Sequence, residues 1–577
     1  MRERLVEAIQ GALETLLAEA GAEAEVPAFA VDVPRQADHG DFACNAAMLL
    51  AKALRKPPRE IAQRLAEVLG DAGGLVARTE IAGPGFLNVW LAGARWQDVL
   101  GRVLEAGTEF GCSDTLKAAR IQVEFVSANP TGPLSIGHGR QAVLGDCIAR
   151  LLDAVGADVT REYYFNNGGR QMRVLGDSVR ARYLELLGRA AAPPVEALRD
   201  KEAAWPEEID GLPVVFPRDG YQGDYIIEIA RGVLQEHSEG WIDEPGEGGF
   251  REVAESTIFA EIKKSLVAIG IEHDVYFNEM SLYEEGRIEE VLGALRETGN
   301  VYDEGGAVWL RATDLGLARD RVLVKSSGEP TYILPDIAYH CEKFRRGFER
   351  VIDVMGADHI DQVPFVRAAV ALLGEDPERI EMVMHQFVTL TSGGRTVKQS
   401  TRAATFVTID EVLEQIGSDV FRFFMIQRKP EAQLDFDLDL ARETDWTKNP
   451  AYYLQYAHAR TCGILRQAAA REIAICAPSE IDAARLELPE EIELLRKLSE
   501  YPEGVVRAAE SREPHHLAYY LRELAGLWNP YVQDGKRHRV LTDDEALTQA
   551  RLGLCTAVRI VLANGLGLLG MSAPEQL

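Results

Sequence analysis

Leu5, Ile9, Leu13, Leu16 and Leu17 share one helical face at the start of the chain and predict an amphipathic helix. The strand-like run Phe86-Leu-Asn-Val-Trp-Leu91 follows, and this first unit ends near Gly107. The next unit opens with Ile121, Val123 and Phe125 alternating with Gln122 and Glu124, the period of two expected of a strand. Leu144, Ile148, Leu151, Leu152 and Val155 then recur at helical spacing. From there to about Gln427 strands and helices alternate, and Val351-Ile-Asp-Val-Met355 is one further strand. Such alternation predicts an α/β fold with an open, doubly wound, Rossmann-like parallel sheet whose ligands lie at the carboxyl ends of the strands. A Pro- and acid-rich stretch at about 190–250 is too long for an ordinary crossover and is expected to be an inserted subdomain facing water. From Asn449, an N-cap followed by Pro450 at the first helical position, the pattern is all-helical, and Leu554, Val558, Val561 and Leu562 share a face of the last helix. Three units are therefore expected: α+β over 1–110, α/β over 111–430 and all-α over 431–577.

Composition adds little about chemistry but excludes some classes. With 577 residues, 46% hydrophobic, the chain can bury several sizeable cores, and its apolar runs are expected to be too short for a membrane span. Seven scattered cysteines contain no Cys-x-x-Cys pair, which argues against a zinc site or disulfide framework and for a reducing cytoplasm. The net charge of −29 is opposite to the footprint of a nucleic-acid binder. Screening limits distant acids to a reach of about 8 Å, so local basic clusters count for more. The candidates are Lys52, Arg55, Lys56 and Arg59; Lys343, Arg345, Arg346 and Arg350; and Lys536, Arg537 and Arg539, each of which also reads as a solvated helix face.

Between the strand at Ile121 and its following helix lies a Gly- and Pro-punctuated turn, Asn129-Pro-Thr-Gly-Pro-Leu-Ser-Ile-Gly-His138. It places Gly137, His138 and Gly139 at a helix N-terminus, where free N–H groups and the positive dipole end favour phosphate. This stretch resembles the first signature of class I aminoacyl-tRNA synthetases, His-Ile-Gly-His, with Ser135 in place of the first histidine. Lys398-Gln-Ser-Thr-Arg402 is similar to the second signature, Lys-Met-Ser-Lys-Arg, and the capping-box spacing of Thr408 and Glu411 opens a helix after it. Further blocks extend the resemblance over almost the whole chain: Asp38-His-Gly-Asp-Phe-Ala-Cys-Asn, Tyr164-Phe-Asn-Asn-Gly-Gly-Arg-Gln171, Tyr332-Ile-Leu-Pro-Asp-Ile-Ala-Tyr-His340, Gly356-Ala-Asp-His359 and Asn449-Pro-Ala-Tyr-Tyr-Leu-Gln-Tyr-Ala-His-Ala-Arg460. The family resembled is arginyl-tRNA synthetase of bacterial type.

That resemblance implies a ligase that activates L-arginine with ATP to arginyl adenylate and transfers it to the 3′ end of tRNA(Arg), releasing AMP and pyrophosphate. ATP is then a substrate, magnesium accompanies it, no metal is held by the protein, and the chain acts as a cytoplasmic monomer. By the same resemblance Glu124, Asn129, Tyr332 and Asp336 form the arginine pocket. Tyr332 and Asp336, one helical turn apart, can face it together, and Asp336 is expected to take the guanidinium. Ser135, Gly137, His138, Lys398 and Ser400 are the catalytic set, with Gly139, Asp358, His359 and Gln386 at ATP. The N-terminal unit becomes a tRNA-binding domain and the helical unit the anticodon-binding domain. There Tyr452, Tyr456, Trp528 and Tyr531 can stack on bases beside Lys536, Arg537 and Arg539, although each aromatic can equally pack helices.

Two departures carry weight. Ser135 reaches less far than imidazole, and Thr401 deletes a cation from the second signature; each lost charge-assisted contact is worth about 1.5–3 kcal/mol. An impaired or specialised paralogue that binds RNA without efficient charging is therefore a second reading. A small-molecule nucleotidyltransferase is a third, and it leaves the terminal units without a task.

Overall fold

The computed structural model describes all residues except 23, 35, 37, 38, 200–204 and 397–406. Its centre is a five-stranded, wholly parallel sheet in the order Ile380–His385, Arg350–Gly356, Arg120–Glu124, Asp158–Phe165, Val275–Asn278. The alternation at Ile121 predicts one polar face, yet Gln122 and Glu124 are as buried as Ile121 and Val123. A central parallel strand is covered on both faces, so its polar side chains must find partners inside.

The helix Ile136–Ala154 follows the first strand and buries Leu144, Ile148, Leu151 and Leu152 as expected. The helix Ile333–Arg345 precedes the strand Arg350–Gly356, and its first turn carries Asp336. Between Asn278 and Ile333 the chain also builds a small antiparallel sheet, Val301–Glu304, Ala307–Leu310 and Arg321–Val324, that the sequence reading missed. The stretch at 190–250 is less solvated than expected. Its helix Asp224–His237 buries Ile226, Ile229, Ala230 and Val233 in the main core, and the Tyr225 hydroxyl donates to the Thr131 carbonyl at 2.7 Å.

The N-terminal domain is a four-stranded antiparallel sheet with helices, among them Arg2–Glu19, whose Leu5, Ile9, Leu13, Leu16 and Leu17 are all buried. Its last helix, Gly93–Ala106, packs on Pro489–Ser499 of the helical domain, where Arg496 pairs with the buried Asp41. Asn449 caps the helix Pro450–Ala470 through Ala451 N–H at 3.0 Å. Contrary to the expectation of short apolar runs, Glu545–Leu568 is long and apolar enough to cross a membrane; most of that window is buried inside the helical domain, which marks a core helix.

Candidate active site

All five core strands deliver side chains to the same carboxyl edge. After Arg120–Glu124 the chain makes a three-residue turn in which Ser127 N–H donates to the Phe125 carbonyl at 3.1 Å, with φ of +71° at Val126 and +41° at Ser127. Positive φ at a β-branched residue costs on the order of 1–3 kcal/mol and persists only where the surroundings enforce it. Here Ser127 Oγ donates to Glu124 at 2.8 Å and accepts from Tyr164 N–H at 3.0 Å, which pins the turn to the neighbouring strand.

Ser135 then begins the helix Ile136–Ala154, and the two residues expected at the phosphates are joined to each other: Ser135 N–H donates to His138 Nδ1 at 3.2 Å. That bond fixes the neutral tautomer with hydrogen on Nε2, for which no described residue is an acceptor. Burial, opposed by Asp358, pushes the His138 imidazole down to about 4, so it stays neutral around pH 7. A Cβ on Gly137 would meet Ser135 Oγ at an ordinary 3.7 Å, but one on Gly139 would lie 2.5 Å from the Phe421 ring. Gly139 is therefore required by helix packing rather than by close approach of a ligand.

Asp358 lies in the short turn Ala357–His359, and its carboxylate sits so tightly over Gly356 that a Cβ there would come within 2.5 Å. The His359 side chain lies outside the described residues, as do Lys398, Ser400 and Thr401. The flanks of that segment are placed: Arg395–Thr396 pairs with Val388–Ser392, and Val407 to Ile409 bridges Leu134 to Ile136, with Ile409 N–H donating to the Leu134 carbonyl at 2.9 Å. The second signature thus leads directly into the phosphate turn. Thr408 and Glu411 form the expected reciprocal cap, at 3.1 and 2.8 Å.

Gln386 follows His385 at the end of the edge strand, and its carbonyl accepts from the fully buried Arg140 at 2.7 Å. His385 was not foreseen. Burial pushes it down to about 4, and its charge interactions with Arg140, Asp358 and His138 place it beside those residues at the carboxyl edge. Its only sequence signal was position, at the end of an apolar strand.

Beyond the strained turn lie the carboxylates. The fully buried Lys343 ammonium bridges Glu124 and Asp353 at 2.6 Å each, and His340 Nε2 lies 2.8 Å from Asp353. Against burial, which alone would raise it, Lys343 and His340 hold Asp353 well below the usual carboxylate range. Burial raises Glu124, although Lys343 opposes the rise. Each Glu124 oxygen already has an internal partner, Lys343 on one and Ser127 on the other.

Asp336 is different. Its carboxylate has no hydrogen bond or ion pair among the described residues, and burial, opposed by His340 and reinforced by Glu124, Glu279 and Asp353, pushes it up to about 7. Glu279, just beyond the strand Val275–Asn278, is a second carboxyl without an ion pair among the described residues; burial raises it too, and the one described side chain bonded to it is the Tyr164 hydroxyl at 2.8 Å. Sequence reading overlooked Glu279 because nothing local marks it. Tyr332 caps this helix and is 68% exposed. Asn129 is exposed and donates to Gln171 at 2.7 Å.

The surfaces expected to meet RNA also sort by burial. Trp528 and Tyr531 are core residues, stacked at 5.6 Å with the Tyr531 hydroxyl on Glu491, and neither can meet a base. Tyr456 is half-buried and stacks on Trp446 at 3.9 Å, and Tyr452 is half-buried against the main core. Arg537 pairs with Glu490, whereas Lys536 and Arg539 are exposed and make no ion pair with a described residue. The basic cluster of the core is largely spent internally: Lys343 as above, Arg346 on Glu162 at 2.7 Å, and Arg345 on Glu290 and Glu342.

A parallel sheet that gathers a helix-terminal histidine and facing carboxylates at one edge, with the second signature's flank bonded to that turn, defines a class I aminoacyl-tRNA synthetase core. Family models match as the arginyl tRNA synthetase N-terminal domain over 3–91, the class I (R) tRNA synthetase catalytic domain over 101–425 and the DALR anticodon binding domain over 454–577. The chain is 48% identical over 552 residues to the arginine–tRNA ligase of Desulfotalea psychrophila, covering 95% of each, and 44% identical over 580 residues to that of Syntrophotalea carbinolica, covering 100% of this chain and 99% of the other. Among solved structures it is similar to the Thermus thermophilus arginyl-tRNA synthetase, with TM-score 0.72, 26% identity and full coverage of both chains. The chain belongs to the arginyl-tRNA synthetase family. Its activity is that of an arginine–tRNA ligase, with arginine, ATP and tRNA as partners. The RNA-binding paralogue and the small-molecule nucleotidyltransferase have no support, since identity runs through all three domains.

Proposed function

We propose that arginine enters with its guanidinium between Asp336 and Glu279, beside the strained turn, and its carboxylate toward the helix N-terminus at His138. The observation that carries this reading is the pair Glu279, buried, and Asp336, half-buried, neither of them ion-paired among the described residues, whereas the other buried carboxylates described are paired. A guanidinium fork is the complement of such a pair, and an uncharged isostere such as citrulline would leave them unmatched. Asn129, held by Gln171, and the exposed ring of Tyr332 stand at the mouth for the α-amino end of the substrate.

ATP lies over the turn from Ser135 to Gly139, with His138 Nε2–H donating to a phosphoryl oxygen and Asp358, His359 and Gln386 toward the nucleoside. Lys398 and Ser400 come to the phosphates from the loop whose flank is bonded to Ser135's neighbours. An arginine carboxylate oxygen attacks the α-phosphorus in line, the bond to the β-phosphoryl oxygen breaks, and pyrophosphate leaves with that electron pair. No protein nucleophile is needed; the site supplies positioning and donors aimed at developing charge. Magnesium arrives on the triphosphate, needs at most one or two carboxylates, for which Asp358 is suited, and neutralises phosphate charge. The terminal ribose hydroxyl of tRNA(Arg) then attacks the adenylate carbonyl, forming the ester and releasing AMP. The helical domain meets the tRNA through Lys536, Arg539, Tyr452 and Tyr456, and the N-terminal domain adds a second RNA surface. The chain works as a monomer in the cytoplasm, in keeping with seven free cysteines.

His138→Ala tests the nucleotide half of this scheme. Loss of one preorganised donor should lower kcat for aminoacylation by about 10²–10³ while arginine affinity stays within about threefold. An unchanged kcat would remove His138 from the phosphates.

A further inference from the structure

A corner of the helical domain gathers three metal-ligating side chains that no step above uses. The helix Tyr501–Ser511 ends at Arg512, whose left-handed φ of +59° turns the chain, and the helix His515–Gln533 follows. In the corner, Glu513-Pro514-His515-His516 brings one carboxylate oxygen and one nitrogen from each imidazole within 4.8 Å of one another. The corner sits against the core. Arg512 pairs with Glu381 on the edge strand at 3.1 Å, and the Tyr519 hydroxyl, one turn along the helix, donates to the Gln427 carbonyl at 3.0 Å.

His515 is the fixed member. It is 7% exposed, its ring lies edge-on to Tyr519 at 5.3 Å and tilted on His516 at 4.3 Å, and its Nδ1 is buried with no hydrogen-bond partner among the described residues. A buried polar atom left without a partner is uncommon and calls for one. Burial, with His516 and Lys429 adding against Glu513 and Glu431, pushes the His515 imidazole down, and the free N–H groups of the first helical turn disfavour an imidazolium further. It is therefore neutral around pH 7, the form that ligates metals.

Glu513 and His516 are the adjustable members, each about a quarter exposed. His516 Nε2 and a Glu513 oxygen share one proton at 2.7 Å, so both already aim at a common cation. Bonds of about 2.0–2.2 Å in a tetrahedron put ligand atoms roughly 3.3 Å apart, and rotation of these two side chains toward His515 closes the difference. Two imidazoles and one carboxylate suit zinc and its neighbours, whereas magnesium and calcium take oxygen ligands.

We propose that Glu513, His515 and His516 form a binding site for a divalent transition-metal cation of the zinc class, with water in the fourth position. Binding releases the His516 Nε2 proton to solvent. The cation pins the corner of the helical domain and touches no substrate. The family resemblance implies no metal held by the protein, and none of the three residues lies in its motif blocks.

The test is equilibrium dialysis of the full chain against buffered zinc, without an affinity tag and with its seven cysteines kept reduced. The wild-type protein should bind one zinc per chain at about micromolar concentration or tighter. Glu513→Gln and His516→Gln should each weaken binding at least about tenfold. Both positions are partly exposed, and cooperative unfolding in denaturant verifies that each variant is folded. Zinc should raise the unfolding temperature of the wild-type protein and leave that of the variants in place. Cobalt(II) in place of zinc should give d–d absorption without a thiolate charge-transfer band, which separates this site from the cysteines. No zinc binding by the wild-type protein, wild-type affinity in either folded variant, an unfolding temperature that zinc does not move, or a thiolate band overturns the proposal.

Discussion

Two acidic regions adjoin the helix Ile333–Arg345, one at Asp336 in its first turn and one around Lys343 about two turns further on, and they behave in opposite ways. Around Lys343 every charge is matched: one ammonium holds Glu124 and Asp353, and His340 completes Asp353. Neither Asp336 nor Glu279 has an ion pair among the described residues, and burial raises both carboxyl groups, opposed by His340 at Asp336 and by the Tyr164 hydroxyl at Glu279. A fold tolerates buried carboxylates by pairing them; where it leaves them unpaired it stores an unfavourable interaction that only a ligand relieves. The first region acts as scaffold, and the second is the site we propose for the substrate cation.

Breaking the matched region should have the largest effect. Lys343→Met leaves two carboxylates buried without their cation and should cost about 3–5 kcal/mol of stability, read by denaturant unfolding. A loss below about 1 kcal/mol would mean that the network is hydrated and the contrast false.

On the unmatched side, Glu279→Gln removes one charge-assisted contact to the guanidinium and should weaken arginine binding by about 1.5–3 kcal/mol, at least tenfold, without lowering stability. Loss of stability without loss of arginine affinity would reassign Glu279 to the scaffold through Tyr164.

Paired and unpaired cations offer the same contrast on the RNA side. Lys536→Ala with Arg539→Ala should weaken tRNA binding and flatten its logarithmic salt dependence by about 1–2, since each neutralised phosphate contributes about 0.7–0.9. Arg345→Ala, which breaks pairs with Glu290 and Glu342, should leave that slope alone. Equal slopes in all three proteins would place the RNA elsewhere.

The smallest effect concerns the departure from the family signature at Ser135. Because Ser135 N–H already fixes the His138 tautomer through the backbone, Ser135→His should change turnover by less than about threefold. A tenfold gain would show that the serine limits phosphate binding. Arg140, a natural candidate to compensate, cannot do so, since it is buried on the Gln386 and Lys429 carbonyls.

Much of this was legible along the chain where the signal is local. The apolar face of Arg2–Glu19, the strand at Ile121, the caps at Thr408 and Asn449 and the phosphate turn all follow from spacing and capping chemistry. What escaped depends on contacts between distant segments. Glu279 and His385 acquire meaning only when parallel strands bring their carboxyl ends together. Trp528 and Tyr531 carry the same aromatic surface whether they face solvent or a neighbouring helix, and tertiary packing made them core. Glu124 entered the arginine pocket by resemblance alone, and its bond to Lys343, 219 residues away, is invisible along the chain.

The central claim is that the Asp336 carboxylate is held unpaired for the substrate cation, and the pH dependence of arginine binding tests it most directly. A carboxyl raised to about 7 by burial takes up a proton on folding, so in the free protein its contribution to stability is present below about pH 4 and is lost as pH rises through 7. Arginine needs the ionised form, so its affinity has the opposite sign: constant above about pH 8 and falling toward tenfold per unit below 7. Calorimetric titration of arginine from about pH 5.5 to about 8.5 should give that profile, with proton release on binding near pH 7 and with the profile abolished in Asp336→Asn. A flat affinity across this range in the wild-type protein, or an Asp336→Asn variant that binds arginine as the wild type does, would contradict the account.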